Sequence, residues 1–333
     1  MEQQFTVIRP HFARSDFDDT YAQEQAELDA ANARLAVVPF SDRDEIFGIL
    51  PEADGFLAAG FVSREMIEAM PKCRAIVTVS HGFDKIDLEA ASEAGIPVTN
   101  TFFCQQEVAN HTFALLLATT RKVVPMHNKM AEGVWAPYLQ PPVPPLNEQT
   151  LGLIGLGHIG REVAQRGCAF DLSVIAYDPH VDAQTAVKHG VELVGLDEVF
   201  ERADFVSVHA PLNESTLHIV NARTLGLMKQ TAYLFNTARG PLVDEAALIE
   251  ALTSGRIAGA GLDVFEQEPT MRDNPLHTLS NVVLTPHAAG YSDLSITRGR
   301  QMAAAEMACM LNGRYPANLL NPLVKGATRV PYA

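Results

Sequence analysis

The chain has little cysteine, and Cys73, Cys104, Cys168 and Cys309 fall with no C-x-x-C pair among them. That spacing supports neither a zinc site nor a disulfide framework, so the four read as reduced, buried small hydrophobes and no metal is expected. Basic charge is scarce as well. With 25 Lys+Arg against 40 Asp+Glu the net charge is -15, uninterrupted by any basic run, which opposes phosphate backbones and anionic lipid surfaces. Nucleic acid and membrane are therefore poor partners. Long apolar runs are missing too: the densest, FALLLA at 113–118, is far too short to span a bilayer. The opening MEQQFTVIRPHF lacks a basic region followed by an apolar one, so a cytoplasmic location is expected. Low-complexity segments and short-period repeats are absent.

What is present is ordinary globular material: 333 residues, 47% hydrophobic, with 22 Gly and 20 Pro, enough for two domains of common size. Short apolar runs alternate with helical stretches. FTVIRP, GFLAAG, AIVTVS and IPVTN read as strands, with SREMIEAM and KIDLEAASEAG as helices between them. A helix from Gln105 to about Arg121 follows, then the Pro-rich APYLQPPVPPL as a loop or extended arm. A second strand series comprises TLGLIGLG, LSVIAYD, DFVSVHA, TAYLFNT, IAGAGLDV and NVVLTP, with helices near 160–169 and 244–254, and a final Ala- and Met-rich helix covers about 295–313. This alternation specifies α/β architecture with parallel sheets.

The strongest local signal is GLIGLGHIGREV, which places Gly155, Gly157 and Gly160 as G-x-G-x-x-G between a strand and a helix. Glycine is needed three times there: for the tight turn, for close approach of a pyrophosphate to the backbone, and for close packing of helix on strand. The helix N-terminus beginning at His158 and Ile159 adds unpaired N–H groups and partial positive charge. Asp178 lies 18 residues beyond Gly160, at the end of the next strand, where its carboxylate can accept from ribose hydroxyls and would repel a 2′-phosphate. NAD is thus favoured over NADP. An Asp before Pro also forms turns, and glycine-rich turns are common, so the strand-turn-helix context carries the argument.

Four further segments end their apolar runs on a titratable group: His209 in DFVSVHA, Arg239 in TAYLFNTARG, Asp263 with Glu268 in GAGLDVFEQEP, and His287 in NVVLTPHAAG. A parallel sheet puts all these ends on one edge, where doubly wound folds bind their ligands. A nicotinamide cofactor moves a hydride, and carbonyl reduction also needs a proton donor near neutral pH. His287 suits that role, Glu268 can fix its tautomer, and Arg239 offers a planar fork to a substrate carboxylate. His209 reads as a packed strand-end histidine and stays outside the catalytic set.

At these residues the sequence resembles the D-isomer-specific 2-hydroxyacid dehydrogenase family over nearly its whole length: GLGHIG, YDP, NTARGPLVDEAAL, GAGLDVFEQEP and TPHAAG occur in the family's order and spacing. The resemblance implies two doubly wound parallel-sheet α/β domains, a flavodoxin-like substrate domain of residues 1–102 plus 294–333 and a Rossmann NAD-binding domain of residues 103–293. It implies an NAD-dependent enzyme interconverting D-2-hydroxy and 2-keto acids with Arg239, Glu268 and His287 as the catalytic set. Thr237, Ala238, Asp263 and Gly290 match positions near the nicotinamide, and His81 and Gly82 match a segment whose backbone binds the substrate carboxylate. A homodimer through the cofactor domain and the arm containing Trp135 is also implied. Asn110 departs from the family, standing in VANH where many relatives carry an acid. Glu268 argues against a formate dehydrogenase, where glutamine occupies the equivalent place, and the 46 residues after His287 disfavour an appended regulatory domain. SHGFD and DVFEQEP also resemble the C-terminal-binding-protein branch, so an NAD(H)-sensing corepressor-like module is the alternative; Gly290 departs from that branch's tryptophan.

Overall fold

A computed structural model describes residues 4–11, 21–39, 43–58, 60–135, 143 and 145–332. The chain divides into two compact units, one formed by Met1–Phe103 with Ser292–Ala333, the other by Cys104–Tyr291.

The first unit holds β1 (Phe5–His11), β2 (Ala33–Pro39), β3 (Gly55–Ala58), β4 (Ala75–Thr78) and β5 (Val98–Asn100). All pairings are parallel and the order is β2-β1-β3-β4-β5, the flavodoxin-like arrangement. Both faces are covered, so strands that read as continuous apolar runs split their side chains by period two. Val7, Leu57 and Val77 face the helix Ser295–Leu311, while Ile8, Phe56, Ile76 and Val98 pack with Met66, Ile67 and Met70. The alanines of that final helix let it lie close, and a Cβ at Gly55 would stand 2.4 Å from the Met307 sulfur.

The second unit's sheet contains β6 (Thr150–Ile154), β7 (Ser173–Tyr177), β8 (Val191–Leu193), β9 (Phe205–Val208), β10 (Tyr233–Asn236), β11 (Gly259–Leu262) and β12 (Val282–Leu284). Its order is β12-β11-β10-β9-β6-β7-β8, again all parallel. The chain starts in the middle at β6, builds outward to β8, then crosses back to β9, which is the Rossmann pattern with its switch point between β6 and β9. The helix Gln105–Thr120 covers one face through Phe113 and Leu116, packed with Leu151, Leu153 and Phe235.

Two strands escaped the sequence reading, β2 and β8. β2 alternates poorly because it is an edge strand with Arg34 and Val37 exposed, and β8 is three residues long with Glu192 in solvent. A helix at Val123–Ala131 was also unforeseen; it buries no residue, so its apolar positions trace no core-facing stripe. The Pro-rich arm lies mostly outside the described residues.

Candidate active site

Registers within the second sheet place the site. Tyr177, Ile154, Val208, Asn236, Leu262 and Leu284 pair in succession across neighbouring strands. The residues one step further therefore form a row beyond the carboxyl ends: Asp178, Gly155, His209, Thr237, Asp263 and Thr285. At about 4.8 Å per strand this row is roughly 24 Å long, enough for an extended ligand.

At the switch point the three glycines of the turn do different work. Gly155 has φ 100°, and a Cβ there would lie 2.8 Å from the backbone of His209 and Ala210. At Gly160 it would lie 2.3 Å from the Gly155 carbonyl oxygen, so the helix His158–Ala169 can sit on the turn only without a side chain. Gly157 is the opposite case, with nothing within 4 Å of its Cβ position: the space is open to a ligand. His158 and Ile159 open the helix, whose first N–H groups have no intrahelical acceptor. Asp178 Oδ2 accepts from Leu156 N–H at 2.8 Å and Oδ1 from His180 N–H at 2.9 Å, so the carboxylate braces the glycine turn.

His209 sits beside this turn with Nε2 2.8 Å from Ser207 Oγ. Burial disfavours its imidazolium and pushes its pKa down to about 3. Its Nδ1 is buried with no hydrogen-bond partner among the described residues. An orphaned nitrogen and an open glycine at the switch point are what a dinucleotide would fill, so the residues fit NAD.

On the other side of the sheet's centre, Asn236 closes the turn that carries Arg239. Its side chain, 1% exposed, donates Nδ2–H to the Arg239 carbonyl at 2.8 Å and accepts from Ala238 N–H at 3.0 Å. Arg239 Nη1 donates to the Ala238 carbonyl at 2.7 Å. Thr237 turns its hydroxyl to Thr112 of the helix below, 2.9 Å away. At Gly240 a Cβ would stand 1.8 Å from the Phe265 carbonyl oxygen, so the Arg239 turn abuts the loop after β11. That loop folds on itself: Phe265 N–H donates to Glu268 Oε1 at 3.1 Å.

The other carboxylate oxygen of Glu268 meets His287 Nδ1 at 2.7 Å. His287 is held at φ 52°, an unusual backbone for a residue with a side chain, by its N–H donating to the Asp263 carbonyl at 2.7 Å. The Asp263 carboxylate, fully buried, organises the rest of that loop: Oδ1 accepts from Thr285 Oγ at 2.6 Å and Ala288 N–H at 2.8 Å, and Oδ2 from Ala289 N–H at 2.9 Å. Gly290 follows, with room for a Cβ only 3.1 Å from Cys104 Sγ.

The structure thus brings Glu268 and His287 into contact, sets the Arg239 turn against the Glu268 loop, and lines up the glycine turn with Asp178. In the other unit, beyond β4, the His81 carbonyl accepts from Asn100 Nδ2 at 2.6 Å and the Gly82 carbonyl from Ser80 Oγ at 2.6 Å. Asn110 accepts from Arg166 Nε at 2.9 Å, tying its helix to the one after the glycine turn rather than touching the trio. Sequence reasoning passed over Asn236, Thr285 and His111, whose Nε2 is 2.9 Å from Thr285 Oγ. The available signal was an asparagine closing a buried strand and a threonine just after a half-buried one. Among the described residues no group of three His, Cys, Asp or Glu could hold a metal ion.

Residues 113–289, more than half of the chain, match the family model described as D-isomer specific 2-hydroxyacid dehydrogenase, NAD binding domain. The chain belongs to this family. It is similar to a glyoxylate reductase of Korarchaeum cryptofilum, 42% identical over 264 residues that cover 78% of this chain and 80% of the relative. A hydroxypyruvate reductase of Thermotoga maritima is 41% identical over 251 residues, 74% of this chain and 81% of that one. Among solved structures, the D-lactate dehydrogenase from Aquifex aeolicus complexed with NAD and lactic acid superposes with TM-score 0.80 at 29% identity, covering 92% of this chain and 96% of the other. The family member is an NAD-dependent oxidoreductase of 2-hydroxy and 2-keto acids, which favours the dehydrogenase reading over the corepressor-like alternative. No helix among the described residues is long and apolar enough to cross a membrane.

Proposed function

We propose that this dehydrogenase reduces short 2-keto acids of the glyoxylate and hydroxypyruvate class with NADH, His287 acting as the acid. The observation that carries the reading is the His287–Glu268 pair standing at the same sheet edge as the glycine turn. NAD(H), when bound, supplies or accepts the hydride. The glycine turn from Gly155 to Gly160, with His158 and Ile159, would hold its pyrophosphate, Asp178 its ribose, and Thr237, Ala238, Asp263 and Gly290 the segments beside its nicotinamide.

The chain's own groups divide the remaining work. Glu268 occupies His287 Nδ1, so that nitrogen carries a proton and Nε2 is the one left to give a proton to the keto oxygen or take it from the hydroxyl. Charge-assisted bonding of this kind is stronger than a neutral bond and holds the ring in place. Arg239 would leave its Ala238 contact to grip the substrate carboxylate through its fork. Backbone groups at His81 and Gly82 are also proposed to bind carboxylate. The names of the relatives support glyoxylate and hydroxypyruvate as the substrate class.

A homodimer in the cytoplasm completes the proposal. Val124, Met130, Val134 and Trp135 are exposed on and after the helix Val123–Ala131, Trp135 by 80%, and apolar positions of that density are what a second copy would cover. Light scattering after gel filtration distinguishes dimer from monomer. NADH oxidation with glyoxylate, hydroxypyruvate, pyruvate and phenylpyruvate tests the substrate class. Turnover of the first two above the others is expected; tight NADH binding without turnover of any would defeat the enzyme reading.

A further inference from the structure

We infer that His111 is a positioning residue for the acid/base loop, acting through a directed chain of protons that ends on Asp263. The inference rests on His287 being the acid. Three residues from three segments meet below the loop: His111 on the helix Gln105–Thr120, Asp263 at the end of β11 and Thr285 at the end of β12. Nε2 of His111 lies 2.9 Å from Thr285 Oγ, and Thr285 Oγ lies 2.6 Å from Asp263 Oδ1.

Donor counting gives this chain a direction. The Asp263 carboxylate takes N–H donors from Ala288 and Ala289 as well as the Thr285 hydroxyl, so it is purely an acceptor there. Thr285 has one hydroxyl hydrogen, spent on Asp263 at the shorter of its two contacts. Its oxygen must then accept from His111, which requires the proton of that imidazole on Nε2. The same carboxylate is 3.5 Å from His111 Nε2, close enough to favour that tautomer further.

The consequence reaches His287 through the backbone. Asp263 fixes Ala288 and Ala289 by its side chain and His287 by its carbonyl, holding the positive φ that directs the imidazole to Glu268. The Thr285 hydroxyl, itself oriented by His111, fills the second lone-pair direction of Asp263 Oδ1 beside Ala288 N–H, which keeps the carboxylate from rotating off this duty. The polar contacts of His111 go to Thr285 and Asp263 rather than to Glu268 or the imidazole of His287, so its effect is on geometry rather than on proton transfer.

The test joins spectroscopy to kinetics. Histidine 13C/15N spectra of the labelled protein should find His111 carrying its proton on Nε2, and Thr285→Val should alter that signal selectively. His111→Phe, which keeps a ring and removes the donor, should lower kcat on the order of ten- to a hundredfold, the scale expected when a reacting group is slightly misplaced. KM and the Kd for NADH should stay within about twofold, and His111→Gln, which can still donate, should recover most of the rate. Thr285→Val should match His111→Phe, and the double variant should be no worse than either alone. A His111 protonated on Nδ1 only, losses that multiply in the double variant, or Phe and Gln variants that fall alike in step with Tm would each overturn the inference. If the wild type reduces no 2-keto acid, the proposed function fails separately, and the histidine spectrum still decides the proton chain.

Discussion

Glu268 divides its two carboxylate oxygens between the backbone N–H of Phe265, at 3.1 Å, and the Nδ1 of His287, at 2.7 Å. The acid that orients the imidazole is thus itself fixed by the loop it belongs to, and both residues are more than two-thirds of the way along the chain.

Removing either partner should therefore separate chemistry from binding. His287→Ala should lower kcat by about 10²–10⁴, the usual contribution of a positioned general acid, while fluorescence titration finds NADH affinity nearly unchanged. Glu268→Gln should fall between wild type and that variant, since an amide can accept from Nδ1 without its charge. An unchanged kcat in His287→Ala would remove it from the mechanism.

Gly240→Ala should be more damaging than its chemistry suggests. The added methyl would enter at 1.8 Å from the Phe265 carbonyl oxygen, so either the Arg239 turn or the Glu268 loop must move. Overpacking of this kind costs about 1–3 kcal/mol or more. A urea midpoint that drops together with kcat/KM is the expected outcome; a fully active, equally stable variant would contradict the contact.

Asp178→Ala should weaken NADH binding and narrow the preference against NADPH, because the carboxylate that opposes a 2′-phosphate is gone. It also braces Leu156 N–H at 2.8 Å, so some loss of affinity for both cofactors is expected. Kd values for NADH and NADPH decide this, and a constant ratio between them would refute the ribose assignment.

His209 makes a prediction about acid stability. Its pKa falls from 6.5 to about 3 on folding because burial disfavours the imidazolium. Unfolded chains therefore take up a proton below pH 6.5 that the folded protein refuses until near pH 3, so stability is full above 6.5 and is lost as pH falls through that window. The slope from this one group approaches about 1.4 kcal/mol per pH unit. Urea titrations of wild type and His209→Gln from pH 7 to 4.5 should diverge, wild type losing stability faster; parallel curves would show that the ring is solvated.

Much of this was legible in the residues, for a physical reason. The glycine turn, the TARG segment and TPHAAG show in sequence because each needs particular residue types at fixed spacing where a strand ends, although several of the contacts they serve lie far along the chain, Gly155 against His209 and Gly240 against Phe265 among them; strands buried on both faces announce themselves as apolar runs. The edge strands β2 and β8 were not legible, since β2 exposes Arg34 and Val37 in no regular alternation and β8 sets Glu192 in solvent between two apolar residues. Nor was His111, whose partner Thr285 is 174 residues away in the chain. Asn236 was hidden differently: it spends both amide atoms within three residues, yet nothing in its neighbours marks an asparagine as buried.

Crowding differs among the three turn glycines, and this separates folding from ligation. Side chains at 155 or 160 would collide with main chain, whereas 157 faces empty space at φ -73°, a backbone any residue tolerates. Gly157 is consequently the one place in the motif where a methyl group could evict the coenzyme and leave the scaffold untouched, yielding an intact but blind protein against which every other variant can be judged.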